Sequence, residues 1–216
     1  MTTFKDLLKA RRIIAIARGI SKDSADGVAD AMERGGVSIL EVTLNTPGAI
    51  DIIANWRRLY DGRLQVGAGT VLTIDDARRA IDAGAQFLVT PHTDEALIAF
   101  ASPTVPVVAG AFTPSEILRA WTAGAAVVKI FPVSTLGPAY IRDLRGPLGH
   151  IPMAAVGGVT DRNAAEFLRA GAIAVGIGGQ LISNSLARAG DFDTLTNNAR
   201  RFVKAIEAAV HEETEQ

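Results

Sequence analysis

Residues 121–132 read WTAGAAVVKIFP. An amphipathic helix closes on Trp121-Thr122-Ala123, Gly124 suits the left-handed position that stops a helix, and a short apolar run then begins a strand. The same succession recurs at 32–40 (MERGGVSIL), 81–89 (IDAGAQFLV) and 168–176 (LRAGAIAVG). Working outward from these repeats, apolar runs rich in β-branched residues fall at Ile13–Arg18, Ile39–Leu44, Leu64–Thr70, Phe87–Pro91, Val105–Ala111, Val127–Pro132, Pro152–Val159 and Ala174–Gln180. Helical patterns lie between them, from SADGVADAMERGG at 24–36 to DFDTLTNNARRFVKAIEAAV at 191–210. Asp, Thr or Ser stands at many helix starts, as at Thr113-Pro114 and Thr160-Asp161.

Strict alternation with apolar strands implies a parallel sheet covered by helices. Eight such units in 216 residues predict an α/β chain folded as one (β/α)8 TIM barrel rather than an open doubly wound sheet. The first strand ends in Ala17-Arg18-Gly19-Ile20, which lacks the glycine spacing of a dinucleotide fold. One extra helix is expected at the N-terminus, within 1–12, and the acidic end 211–216 is expected to fray. No linker divides the chain, so 1–216 is read as a single domain.

Composition narrows the function. With 22 Lys+Arg against 23 Asp+Glu and 48% hydrophobic residues, the chain has the apolar content for a large core and no basic bias toward nucleic acid. No cysteine is present, which excludes disulfides, Cys-ligated zinc and thiol catalysis and fits a cytoplasmic setting. Three histidines at unrelated positions do not suggest a metal site. Neither an apolar run of the ~18 residues a bilayer span needs nor a secretory leader is evident, so no membrane partner is expected.

In this fold chemistry gathers at the C-terminal ends of the strands, and residues i, i+2 and i+4 of a strand share a face. Ile39, Glu41 and Thr43 share one; so do Val127, Lys129 and Phe131; Arg18 follows Ile14 and Ile16; Thr70 follows Val66 and Ala68. Lys129 is the one lysine of five that interrupts a strand. A snorkelling lysine is the plain explanation, but a desolvated lysine is partly free amine near neutral pH, which is what a Schiff-base nucleophile requires. Glu41, the carboxylate inside a strand, is either an ion-pair partner or a proton shuttle. Arg18 is either a counter-ion or a bidentate clamp for a substrate carboxylate. Gly157-Gly158 and Gly178-Gly179 close the seventh and eighth strands, where this fold cradles phosphate on backbone N–H groups. Thr43, Thr70 and Phe131 are weaker candidates, and His92 after Pro91 is ambiguous.

Four motifs, EVTLNTP at 41–47, VGAGTVL at 66–72, KIFP at 129–132 and AVGGV at 155–159, together resemble the KDPG/KHG aldolase family. These are class I aldolases of 2-keto-3-deoxy-6-phospho sugar acids and 4-hydroxy-2-oxoglutarate, and the likeness runs from Ile13 to about Leu181. The resemblance implies a metal-free, cofactor-free retro-aldol cleavage to pyruvate and an aldehyde, usually glyceraldehyde 3-phosphate, by a homotrimer. It implies that Lys129 is the Schiff-base lysine and Glu41 the acid/base. Arg18 and Thr70 would contact the substrate's polar groups, and Gly157, Gly158, Gly178 and Gly179 its phosphate. Thr43, Asn45, Pro91 and Phe131 complete the candidate substrate-side residues. Asn45 stands where many gluconate-type members carry Arg, and Gln180 where many carry Ser. Leu44-Asn45-Thr46-Pro47 and Val89-Thr90-Pro91 look more like the 2-dehydro-3-deoxy-6-phosphogalactonate branch. A sugar-phosphate isomerase or epimerase without a covalent intermediate, or a barrel that only binds a phosphorylated metabolite, is the alternative on fold grounds alone.

Overall fold

The computed structural model describes residues 3–214, and their side chains as far as 208. Eight parallel strands close into a barrel in sequence order: β1 (Ile13–Ala17), β2 (Ile39–Thr43), β3 (Gln65–Gly69), β4 (Leu88–Val89), β5 (Val107–Ala111), β6 (Val127–Ile130), β7 (Met153–Val156) and β8 (Ala174–Ile177). The helices α2 (Lys22–Arg34), α3 (Ala49–Leu59), α4 (Ile74–Asp82), α5 (Glu95–Ala101), α6 (Pro114–Thr122), α7 (Gly137–Leu148) and α8 (Ala164–Arg169) alternate with them. The barrel expected from the sequence is therefore the fold observed.

Two further helices lie outside the repeat. Ahead of β1, α1 (Phe4–Arg11) starts on a Thr3/Asp6 capping box and stops at Arg12 in left-handed conformation. After β8 come the short α9 (Asn184–Ala189), which the periodicity does not predict, and the long α10 (Phe192–Thr214), the eighth helix of the repeat, which packs between α8 and α2 and closes the ring. Helix continues through Thr214 across most of the 211–216 stretch expected to fray, and residues 215 and 216 lie outside those described.

Alternation along the strands sorts the core into two. Ala15, Leu40, Val66, Val107, Val128, Ala155 and Val175 point outward and pack with the helices. Ile14, Ile39, Val89, Val108, Val127, Ala154 and Ala174 point inward and form a separate cluster with Phe87 and Leu8. Leu8 belongs to α1, and Phe4 of the same helix stacks on Phe87 at 4.8 Å between ring centres, so α1 plugs the N-terminal opening of the barrel.

Above this floor the inward positions become small. Gly67 leaves the space that the Phe87 ring fills, and Gly69 the space that the Glu41 carboxyl fills. Gly110 lets the Pro91–His92 backbone pass over it, and Gly176 lies against Val156. A lumen filled to the top with Leu and Ile is the usual packed barrel. Here glycine and alanine open the C-terminal half.

Candidate active site

Lys129 rises from β6 two residues after the inward-facing Val127 and is 5% exposed. It lines a cavity of about 370 Å3 at the C-terminal end of the barrel, within the size range of small-ligand sites. Its Nζ stands 4.8 Å from the ring centre of Phe131. Burial lowers the pKa of the ammonium, and the nearby Arg18 cation pulls the same way; the Glu41 carboxylate opposes both. The net direction is toward free amine.

Glu41 is carried by β2, beside Ile16 of β1 and Gly67 of β3, and is 2% exposed. Its carboxyl lies over the bare Cα of Gly69. Burial raises its pKa against the lowering influence of Lys129 and Arg18. The same cause, burial, pushes both groups toward their uncharged forms.

Arg18 follows β1 directly, and its side chain lines the cavity. Its Nη1 donates to Asn45 Oδ1 at 3.3 Å, so the two arms of the β1 and β2 loops meet at the mouth. Phe131, Gly157, Gly158, Gly178 and Gly179 line the same cavity, the last two just past β8, the neighbour of β1. Gly157 (φ 92°) and Gly158 (φ 82°) are left-handed, a backbone that only glycine adopts readily. Ser134 packs against Gly158, and open space lies beyond Gly179.

Of the residues singled out in the sequence, Arg18, Lys129, Phe131 and the four glycines therefore come together around one cavity, with Glu41 coupled to it by charge. Thr43, Asn45, Thr70 and Pro91 are not part of its lining. The Thr43 hydroxyl is fully buried and contacts Thr46 Oγ1 (3.0 Å) and the Ala17 carbonyl (3.5 Å), which makes it a fastener between β1 and the β2 loop. Asn45 is exposed on the Arg18 side chain. Pro91 contributes the backbone that crosses Gly110.

Thr70 differs from the alternation argument. Val66 and Ala68, which share its face on paper, pack outward with the helices; the inward face of β3 is Gly67 and Gly69. Thr70 itself lies past the strand end with φ 56°, a strained backbone for a β-branched residue, so strand periodicity no longer governs its side chain. Ile16, Val156, Val159 and Gln180 also line the cavity. The alternation that marks Arg18 already signals Ile16, since the two share a face.

Among the described residues no group of three His, Cys, Asp or Glu side chains converges as a metal site. No described helix is long and apolar enough to cross a membrane.

Comparison with known proteins fits this geometry. Residues 4–198 match the family described as KDPG and KHG aldolase. The chain belongs to that family. It is accordingly a carbon–carbon lyase of the aldolase type. It is 37% identical over 186 residues, 84% of this chain and 86% of the other, to a protein of Rhizobium meliloti named as a probable 2-dehydro-3-deoxy-6-phosphogalactonate aldolase. To the 2-dehydro-3-deoxy-6-phosphogalactonate aldolase of Escherichia coli it is 36% identical, covering 92% of this chain and 96% of that one. A solved structure described as native KDPGal superposes with a TM-score of 0.86 at 36% identity, covering 92% of this aldolase and 96% of that chain.

Proposed function

We propose that this aldolase works through a Schiff base on Lys129 and cleaves a 2-keto-3-deoxy-6-phospho sugar acid, 2-dehydro-3-deoxy-6-phosphogalactonate before its gluconate epimer, to pyruvate and glyceraldehyde 3-phosphate. The observation that carries the proposal is the desolvated amine of Lys129, facing a cavity and electrostatically paired with a buried carboxyl. The names of the relatives at 36 and 37% identity support the galactonate substrate.

The chemistry follows from the two protonation states. The Lys129 amine adds to the C2 carbonyl carbon, and its proton passes to the new alkoxide. Protonated Glu41 delivers a proton to the departing hydroxyl, water leaves, and a cationic imine forms. Glu41, now carboxylate, takes the proton of the C4 hydroxyl. The C3–C4 bond breaks, its electron pair flows into the imine to give an enamine, and the aldehyde departs. Glu41 returns the proton to C3, and water hydrolyses the resulting imine to pyruvate and free amine. The cationic imine is the electron sink throughout. Arg18 pairs with the substrate carboxylate, and the backbone of the two glycine pairs receives the phosphate. Assembly as a homotrimer belongs to the same proposal and is read by light scattering.

The test is incubation with pyruvate and borohydride, then intact mass and peptide mapping. A reduced pyruvyl adduct on Lys129, lost in a folded Lys129→Met variant, is the expected result. Folded wild-type protein without adduct, or adduct retained in Lys129→Met, would overturn the mechanism and favour an isomerase-type reaction. Comparison of kcat/KM on the two epimers decides between galactonate and gluconate.

A further inference from the structure

Arg18 lies on the cavity wall, yet its side chain is exposed and its one side-chain hydrogen bond, to the exposed Asn45, is long at 3.3 Å. The main chain beneath it is held more firmly. Thr46 Oγ1 accepts from the Gly19 N–H at 2.8 Å, and Asn184 Nδ2 donates to the Arg18 carbonyl at 3.0 Å. Both groups of the peptide joining Arg18 to Gly19 are thus bound by side chains. Thr43, bonded to Thr46 and reaching the Ala17 carbonyl, backs the first contact.

The two fasteners come from opposite neighbours of β1. Thr46 belongs to the loop after β2 and is 2% exposed; Asn184 opens α9, after β8. Gly19, at φ 66°, leaves the room in which the Asn184 amide stands. Asn184 Oδ1 is buried without a hydrogen-bond partner, an arrangement that costs stability. Stability therefore does not explain why an amide occupies this site, whereas a donor aimed at the Arg18 carbonyl does.

We infer that Thr46 and Asn184 are positioning residues for catalysis, clamping the Arg18–Gly19 peptide from both sides so that the guanidinium stays at the cavity wall facing Lys129 and the substrate carboxylate. The inference rests on the role proposed above for Arg18. It has a consequence at Lys129, whose charged neighbours are Glu41 and Arg18. The Arg18 cation disfavours ammonium, so loosening Arg18 returns Lys129 toward its ordinary, more basic range.

Two readouts on the full-length protein test this. The first is the pyruvate concentration that half-saturates borohydride trapping on Lys129. The second is the pH profile of Lys129 labelling by trace acetic anhydride, which needs no aldolase activity. Thr46→Val and Asn184→Ala should each raise the half-saturating concentration about 3- to 10-fold, the worth of one hydrogen bond, and move the labelling midpoint to higher pH. Thr46→Ser should restore both. In an Arg18→Ala background neither variant should add to the loss. Equal increments in that background, or a lowered melting temperature with an unmoved labelling profile, would reduce Thr46 and Asn184 to structural roles and overturn the inference. Failure of the Schiff-base proposal shows separately, as absence of adduct in the wild type, while the labelling profile still reports the link between Arg18 and Lys129.

Discussion

Replacing Gly69 by alanine perturbs Glu41, the proposed acid/base, without altering a proposed reacting side chain. The added Cβ would lie 2.3 Å from Glu41 Oε1 and 2.7 Å from Cδ, about 1 Å inside ordinary contact. Gly69 is not in the left-handed region, so alanine brings no backbone strain and the whole effect falls on the carboxyl. Glu41 is almost wholly enclosed and gives way only by leaving its rotamer, at about 0.5–1.5 kcal/mol, or by pushing on its neighbours, at about 1–3 kcal/mol. For a chain of this length each kcal/mol lowers the melting temperature by about 2–4 °C. A displacement of about 1 Å costs on the order of 100-fold in rate, inside the roughly 100- to 10,000-fold that a general acid/base contributes. Steady-state kcat, followed by pyruvate release, should therefore fall about 100-fold in Gly69→Ala. Gly67→Ala is the control: its Cβ would meet the Phe87 ring at 2.5 Å, which strains the floor of the barrel and leaves the carboxyl alone. It should melt lower with kcat nearly unchanged. A Gly69→Ala enzyme within threefold of wild type, or equal kcat losses in both variants, would refute the claim that the seat of Glu41 sets the rate.

Two further outcomes bear on the pH dependence and on the floor. Burial raises the pKa of Glu41, so between its ordinary 4.5 and its folded value the native state holds a proton that the unfolded chain has lost, and stability falls as pH rises. Burial lowers that of Lys129, so between its folded value and its ordinary 10.5 the native state lacks a proton that the unfolded chain holds, and stability rises with pH. Glu41→Gln and Lys129→Met should thus melt higher than wild type near pH 7, the first advantage vanishing near pH 4 and the second above about pH 10.5; variants that melt lower at pH 7 would contradict the assigned burial costs. Leu8→Ala removes a fully buried side chain from the lumen cluster and should cost about 2–4 kcal/mol by urea unfolding while kcat holds. A matching loss of kcat would show that α1 reaches the site.

The architecture was legible because helix stops and strand starts repeat in the chain, and Lys129 and Glu41 were legible because each is a charge in an otherwise apolar strand. What escaped has physical reasons. On β3 the inward residues are Gly67 and Gly69, so the apolar side chains of that strand mark its outer face and invert the inference for Thr70. The left-handed backbone at Thr70 leaves no trace in composition. Helix α9 has six residues, too few for a period to stand out. The hydrogen bonds that join the Arg18–Gly19 peptide to Thr46, which accepts, and Asn184, which donates, span 27 and 166 residues and depend on loop conformations that no local pattern encodes.

Stability and chemistry occupy different levels of one lumen. Below, Leu8, Ile14, Ile39, Phe87 and Val127 fill the barrel with apolar volume. Above, Gly69 and Gly110 withhold volume, and two buried ionisable groups enter a space that is not packed shut. Both groups carry a burial penalty that a stable protein has no use for, and the penalty is what pushes each of them toward its uncharged form. A barrel built this way should separate its defects. Damage to the floor lowers melting and spares the rate; damage to the glycines beneath the carboxyl, or to the clamp on Arg18, lowers the rate out of proportion to melting. Leu8→Ala and Gly69→Ala sit at the two ends of that axis, and proportional losses of rate and stability in both would show that the two levels are not independent.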